Sequence, residues 1–157
     1  SIIDGKTVGP FATGTACAAL VAGASKEVSD MMYDFGTEFG RAFQLVDDLL
    51  DLTGDPEMGK PRGTDVHEGK MTLPIIHALT ILHGSEREHL ADVLNNFSDD
   101  RWNELTTLLE ISGSFSYTRQ LIQNHVDRAL EIISNLPSSD AKDLISEVAL
   151  ISRNRKV

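Results

Sequence analysis

Residues 26–53 read KEVSDMMYDFGTEFGRAFQLVDDLLDLT and carry the strongest periodic signal in the chain. Apolar side chains recur there at intervals of three and four residues, the spacing of one face of an α-helix. The members of this face are Met32, Phe35, Phe39, Ala42, Val46 and Leu49. Ser25 precedes the pattern and belongs to the preferred N-cap residues. The stretch therefore predicts one long helix at the centre of the protein.

Helical spacing continues on both sides of this central helix, and no run has the two-residue alternation of a strand. The first segment is rich in Ala, Gly and Thr, which lets a helix approach its neighbour closely, and Gly9-Pro10 should kink its start. Ser85 and Glu88 form a capping-box pattern that predicts another helix start. The other predicted helices cover about residues 2–24, 72–83, 98–111, 116–136 and 139–153. We predict a single all-α domain over residues 1–157, built as a helical bundle.

Composition and charge limit the possible partners. Of the 157 residues, 41% are hydrophobic, and the formal net charge is -10. Nucleic acids and anionic membranes are bound by clustered cations, so this acidic balance excludes either as the main partner. The longest apolar run, residues 16–24, is too short to cross a bilayer. We expect no nucleic-acid partner and no stable membrane insertion.

The single cysteine and the first residues suggest a compartment and an incomplete chain. Cys17 has no second cysteine with which to form an intramolecular disulfide, which suits a reducing, cytoplasmic compartment. Its small apolar neighbours predict a buried side chain. Residues 1–4 read SIID, without an initiator methionine and without the basic stretch of a signal peptide. We expect the chain to begin inside a longer protein.

Three carboxylates and one amide share a face of the central helix. They are Gln44, Asp47, Asp48 and Asp51, which fall within about a third of the helix circumference. No Lys or Arg lies three or four residues from these aspartates, so their repulsion must be relieved from elsewhere. Carboxylate oxygens without a nearby Cys or His set suit Mg²⁺ better than Zn²⁺. A solvated acidic face is the alternative, and the motif alone leaves both interpretations open.

Residues 54–70 predict a loop after the central helix, because their glycines and prolines stop a helix. Lys60, Arg62 and Lys70 alternate there with Asp65, and these cations can fold back toward the helix end. Cations placed beside metal-binding carboxylates describe a diphosphate site. A solvated, charge-mixed loop is the alternative. The segment GKPRGT lacks the order and spacing of a Walker A loop.

Linked motifs point to a family. In chain order they are KT at 6–7, FQLVDDLLD at 43–51, GD at 54–55, GKPRGTD at 59–65 and EGKMTLP at 68–74. Their order and intervals resemble the second half of trans-type prenyl diphosphate synthases, over about residues 1–80. The resemblance implies an isoprenoid synthase fold and a prenyltransferase that joins an allylic diphosphate to isopentenyl diphosphate.

The resemblance also implies Mg²⁺, or Mn²⁺, as cofactor and gives roles to particular residues. Four carboxylates are expected to hold the metal, directly or through water: Asp47, Asp48, Asp51 and Asp65. Three cations are expected to grip the diphosphate: Lys6, Lys60 and Lys70. Two polar side chains are expected to face the allylic carbon where positive charge develops: Thr7 and Gln44. Among these residues, Asp47 is the chief metal ligand, Asp65 acts through metal-bound water, and Lys70 contributes more weakly than the other lysines.

Some family features do not occur in this sequence, namely the earlier aspartate-rich motif with its arginines and the upstream basic patch for isopentenyl diphosphate. The leading interpretation is therefore a catalytic half that is inactive alone. The alternative is a non-catalytic binding or regulatory subunit of a heteromeric synthase. A terpene cyclase relative is a third interpretation, although its second metal motif usually mixes Asn, Ser or Thr with Glu. The wording of residues 68–74 leans toward geranylgeranyl or longer products, and members of the family are usually homodimers.

Residues outside these motifs are expected to be structural. Asp99 and Asp100 stand at a predicted helix start, where they would cap the helix and interact with its dipole. His67 is expected to be an exposed loop histidine. Trp102 is expected to be a core or interface aromatic residue.

Overall fold

The computed structural model of this protein describes residues 4–54 and 62–153. Within these ranges the chain is all-α and contains no strand, as predicted. The helices are α1 (Gly9–Val21), α2 (Lys26–Thr53), α3 (Thr64–His67), α4 (Leu73–Ile81), α5 (Gly84–Asn95), α6 (Trp102–Ile111), α7 (Ser114–Ser134) and α8 (Asp140–Arg153). A π-helical turn, Asp4–Val8, precedes α1, and a 3₁₀ turn, Asp99–Arg101, precedes α6.

The central helix α2 has the bounds that the sequence predicts, 26–53. Its apolar face is buried, with Phe35, Ala42 and Val46 each no more than 5% exposed. At its start the backbone N–H of Val28 donates to Ser25 Oγ over 3.4 Å, as expected of an N-cap serine. The helical period of the apolar residues was therefore a sufficient guide to this element.

The helices group into two compact units. Within the described ranges, the first unit contains residues 4–46 and 121–153, and the second contains residues 47–54 and 62–120. Each unit is described by itself below. The expectation of a single domain across 1–157 stays a prediction.

In the first unit, two glycines of α2 let α1 pack closely. A Cβ placed on Gly36 would lie 2.6 Å from the backbone oxygen of Phe11, and one on Gly40 would lie 3.0 Å from the Cα of Val8. Phe11 packs edge-on against Phe39, with ring centroids 5.1 Å apart. The close helix approach expected from the small residues of the first segment is confirmed.

Two predictions about α1 concern its start at Gly9-Pro10 and the burial of Cys17. The π-helical turn changes to α1 at Gly9, beside Pro10, which has no N–H to donate; the expected kink at this point stays a prediction. The expected burial of Cys17 is wrong, because this residue is exposed. Helix α1 is apolar on most sides and packs through only part of its circumference, leaving Leu20 and Val21 exposed as well.

No helix in the described ranges is both long enough and apolar enough to cross a membrane.

In the second unit, α5 packs against α4 and α6 around side chains that are completely buried. These include Ile75, Leu90, Val93, Leu105 and Leu109. The predicted N-cap of α5 at Ser85 is wrong, because the helix begins at Gly84 with His83 as N-cap. Gly84 has a φ of 56°, a left-handed conformation that glycine adopts without steric cost, and this turn sets the start earlier than the capping-box pattern.

An exposed charge cluster joins α5 to α6. Arg101 Nη2 lies 2.8 Å from Asp92 Oδ2 and 2.9 Å from Glu104 Oε2, and His89 Nε2 lies 2.9 Å from the same Glu104 oxygen. The hydrogen bonds from Arg101 and then His89 lower the pKa of Glu104 from 4.5 to about 2. The folded state thus favours the charged form of Glu104.

This lowered pKa predicts an acid-dependent loss of stability. A depressed folded-state pKa contributes stability above the unfolded-state pKa and loses it as the pH falls, here between 4.5 and about 2. We expect Glu104→Gln to lower the melting temperature at neutral pH and to shrink its fall on acidification. Thermal melts at neutral pH and at pH about 3 measure this difference. An equal acid-induced fall in both proteins would contradict it.

Candidate functional site

The three aspartates of the α2 motif lie in different environments. Asp47 is exposed, Asp51 is half-buried, and Asp48 is 4% exposed. Asp48 is buried although it belongs to the polar arc of α2, and Val46 and Leu49 of the apolar face are buried as predicted. Of these carboxylates, Asp47 is the one most accessible to a ligand from solution.

Asp51 fastens the end of the predicted loop to the end of α2. Its Oδ1 accepts the backbone N–H of Thr64 over 2.9 Å, and its Oδ2 accepts that of Asp65 over 3.1 Å. Its backbone oxygen also accepts the N–H of Gly63 over 2.8 Å. Gly63 precedes α3 with a φ of 71°. Because Asp51 accepts the N–H groups of Thr64 and Asp65, the start of this short helix is capped by a carboxylate from another helix.

The pKa of the Asp51 carboxyl is raised above its ordinary value. Burial is the main cause, and the negative charges of Asp65 and Asp47 add to it, while the two amide hydrogen bonds oppose it. Asp51 therefore lies among carboxylates whose charges repel its own. A cation bound there would relieve that repulsion.

Asp65 and Lys70 form an ion pair beside this cap. Lys70 Nζ lies 2.7 Å from Asp65 Oδ1 and 2.8 Å from Glu68 Oε2. The backbone N–H of Lys70 also donates to the backbone oxygen of Asp65 over 2.8 Å. The hydrogen bonds to Asp65 and then Glu68 raise the pKa of Lys70, so its ammonium stays charged. The structure thus joins two of the residues that the sequence assigned to metal and diphosphate.

The first unit holds the pair expected to face the allylic carbon. The hydroxyl of Thr7 donates to Gln44 Oε1 over 2.7 Å, across 37 residues of sequence. Lys6 is exposed on the π-helical turn immediately before Thr7. The sequence predicted a common role for Thr7 and Gln44, and the structure brings their side chains into contact.

Part of the predicted loop lies outside the described residues. Residues 55–61 belong to it, so the predicted role of Lys60 stays a prediction. The described part of the loop contains α3, a single helical turn that its glycine-rich composition did not indicate.

A metal ion is implied by the family resemblance. Among residues 4–54 and 62–153, no three His, Cys, Asp or Glu side chains form a group arranged to hold one. The donors nevertheless suit a hard divalent cation, because the carboxylates around Asp51 offer oxygen ligands only and repel one another. The metal ligands expected from the family resemblance stay predictions: they would be Asp47, Asp48 and Asp51, with Asp65 acting through metal-bound water.

Sequence reasoning missed two residues of the second unit that contact the loop, Asp99 and Trp102. His67 is exposed as expected, but its Nε2 lies 2.9 Å from Asp99 Oδ1, so Asp99 contacts the loop in addition to opening a helical turn. Trp102 is buried as expected, yet it also lies under Arg62 and Gly63. No local pattern indicates contacts between residues more than 30 positions apart.

Comparison with known proteins gives the family. The family model for polyprenyl synthetases matches residues 1–110. Among curated relatives, the short chain isoprenyl diphosphate synthase of Methanothermobacter thermautotrophicus is 34% identical over 92% of this chain and 45% of its own length. The octaprenyl diphosphate synthase of Escherichia coli is 33% identical over 98% of this chain and 48% of its own length. The chain therefore spans about half the length of these relatives.

Solved structures agree. The polyprenyl synthase of Caulobacter crescentus, described as complexed with calcium and isoprenyl diphosphate, matches with a TM-score of 0.91 and 30% identity. The match covers 99% of this chain and 48% of that protein. Both the predicted fold and the resemblance to one half of these synthases are confirmed.

Proposed function

Since this chain belongs to the polyprenyl synthetase family, we propose that it is the metal-binding half of a prenyltransferase. The proposed reaction joins an allylic diphosphate to isopentenyl diphosphate and releases pyrophosphate. The contact between Asp65 and Lys70, held beside the Asp51 cap, carries this proposal. There the charged ammonium of Lys70 lies next to carboxylates that repel one another. A lysine can contact a diphosphate directly, and such carboxylates can hold the metal ion bound with it.

The proposed work of the lysines is electrostatic. Ionisation of the allylic carbon–oxygen bond leaves extra negative charge on the pyrophosphate, and fixed ammonium groups stabilise that charge. We assign Lys6, Lys60 and Lys70 to this task. When bound, Mg²⁺ would supply Lewis-acid stabilisation of the same charge, held by the carboxylates named above.

Thr7 and Gln44 are assigned to the carbocation. Because the Thr7 hydroxyl donates its proton to Gln44, the lone pairs of its oxygen remain directed elsewhere. An oxygen presenting lone pairs stabilises a neighbouring positive carbon. We propose that this is why a threonine and a glutamine are paired here.

Further properties follow from the same family membership and are proposed with it. Relatives named for short-chain and octaprenyl products leave the length open, and the wording of residues 68–74 is the reason why we propose a product of geranylgeranyl length or longer. We also propose a homodimeric, cytoplasmic enzyme that uses Mg²⁺ and accepts Mn²⁺.

A binding experiment tests the proposal. Calorimetric titration of the chain with inorganic pyrophosphate should show binding that requires Mg²⁺. Lys70→Met should weaken that binding about tenfold, because charge-assisted hydrogen bonds contribute about 1.5–3 kcal/mol each. Lys26→Met is the matched control, since Lys26 is an exposed lysine paired with Asp30 on α2. Binding that is absent, or indifferent to Mg²⁺, would reject the proposed function.

A further inference from the structure

Two aromatic side chains of the second unit form a platform beneath the loop. Phe97 and Trp102 meet edge-to-face, with ring centroids 6.1 Å apart. Trp102 is the first residue of α6 and is 6% exposed. We call these two rings the aromatic platform. Neither residue belongs to any motif of the family resemblance.

The described part of the loop contacts this platform directly. A Cβ placed on Gly63 would lie 2.4 Å from Cζ3 of Trp102, so the glycine backbone touches the indole and no side chain fits between them. The guanidinium carbon of Arg62 lies 4.7 Å from the centroid of the same ring, a cation–π distance. Trp102 therefore contacts two consecutive residues of the loop.

His67 makes the contact at the far end of α3. Its ring packs edge-on against Phe97 with centroids 4.9 Å apart, and its Nε2 reaches Asp99 Oδ1 over 2.9 Å. The aromatic platform thus holds the loop both before and after the turn that carries Asp65.

Asp51 also holds this turn, because its carboxylate accepts the N–H groups of Thr64 and Asp65. Asp65 in turn holds Lys70. Two sets of contacts therefore hold the turn that carries the Asp65–Lys70 pair, one from a carboxylate on α2 and one from the aromatic platform.

We propose that Trp102 is a positioning residue for diphosphate binding: its ring, in contact with Gly63 and Arg62, holds the loop so that Asp65 and Lys70 are placed before the ligand arrives. This inference rests on the proposed function. The physical reason is pre-organisation, because a loop already fixed does not lose its conformational freedom on binding.

The experiment compares three substitutions in the full chain. Trp102→Leu removes the ring but keeps an apolar side chain, Trp102→Phe keeps an aromatic ring, and Leu108→Ala weakens the same helix at another buried position. Gly63→Ala directs a Cβ into the ring of Trp102 and also strains the left-handed backbone of residue 63, so it displaces the loop while keeping the ring. Thermal melts measure the stability lost by each variant.

Two readouts separate positioning from simple destabilisation. Hydrogen exchange at the amides of Thr64 and Asp65 reports whether the loop remains on the Asp51 carboxylate. Titration with inorganic pyrophosphate and Mg²⁺ reports the affinity. We expect Trp102→Leu and Gly63→Ala to speed exchange at both amides and to weaken binding about tenfold. Trp102→Phe should recover part of both, and Leu108→Ala should change stability alone.

The possible results are distinguishable. If the unmodified chain shows no Mg²⁺-dependent binding, the proposed function falls and this inference falls with it. If the unmodified chain binds but Trp102→Leu and Gly63→Ala match Leu108→Ala in exchange and affinity, the inference alone is overturned. Failure of Trp102→Phe to improve on Trp102→Leu would also overturn it, because the ring is the proposed agent.

Discussion

Asp47→Ala is expected to lower the turnover of prenyl transfer by about two to three orders of magnitude while leaving the fold intact. Asp47 is the accessible carboxylate of the α2 motif, and we assign it the chief part in holding the metal. Its loss removes stabilisation of the charge that develops on the departing pyrophosphate. Folding should be unaffected or slightly improved, because alanine has a higher helix propensity than aspartate. Steady-state assays of the full-length protein, together with thermal melts, measure both effects.

Asp34→Ala is the matched control for this substitution. Asp34 is another exposed aspartate of α2, so the same change is made on the same helix without touching the motif. Normal turnover in Asp34→Ala, together with a strong loss in Asp47→Ala, assigns the effect to the motif. Near-normal turnover in both variants would reject the role of Asp47. A protein that binds pyrophosphate with Mg²⁺ yet never transfers a prenyl group would instead favour the non-catalytic subunit.

Gly36→Ala is expected to destabilise the first unit by about 3 kcal/mol, the upper end of the cost of overpacking. The new Cβ would lie 2.6 Å from the oxygen of Phe11 and 2.7 Å from the Cα of Ala12, which are backbone atoms and cannot rotate away. Helix α1 must therefore move away from α2. That movement also strains the bond from Thr15 Oγ1 to the backbone oxygen of Met32, now 2.6 Å.

Gly14→Ala is a control with the same chemical change. Gly14 lies within α1, and a Cβ placed on it meets no atom within 4 Å. This substitution should stabilise the protein by about 0.5–1 kcal/mol, because glycine costs that much in a helix interior. Urea unfolding monitored by circular dichroism gives both free energies of unfolding. Equal changes in the free energy of unfolding for the two substitutions would show that α1 and α2 leave room for a Cβ at position 36.

The sequence predicted those parts of the fold that depend on local periodicity. The bounds of α2 were correct because its apolar period continues without interruption over 28 residues. The start of α5 was misplaced because a capping-box pattern at Ser85 competed with a left-handed turn at Gly84. Cys17 was placed inside because its neighbours are apolar, but neighbours in sequence do not tell which side of α1 packs.

The sequence predicted which residues belong to the candidate site, but not how most of them contact one another. The family resemblance assigned Thr7 and Gln44 to one role, Asp65 to the metal and Lys70 to the diphosphate; in the structure Thr7 contacts Gln44, and Asp65 contacts Lys70. It did not reveal that the Asp51 oxygens receive backbone amides, because that bond depends on how the chain returns to α2 after the loop. The contact of Trp102 with the loop was equally unreadable, since it joins two distant elements.

The cap that Asp51 provides means that one acidic motif carries two kinds of constraint. A saturation-mutagenesis survey scored separately for abundance in cells and for catalysis would find Asp47 intolerant only in the catalytic score. Asp51 would be intolerant in both scores, and even asparagine there would retain an acceptor at just one of its two side-chain positions. The aspartates of one sequence motif therefore need not tolerate the same substitutions.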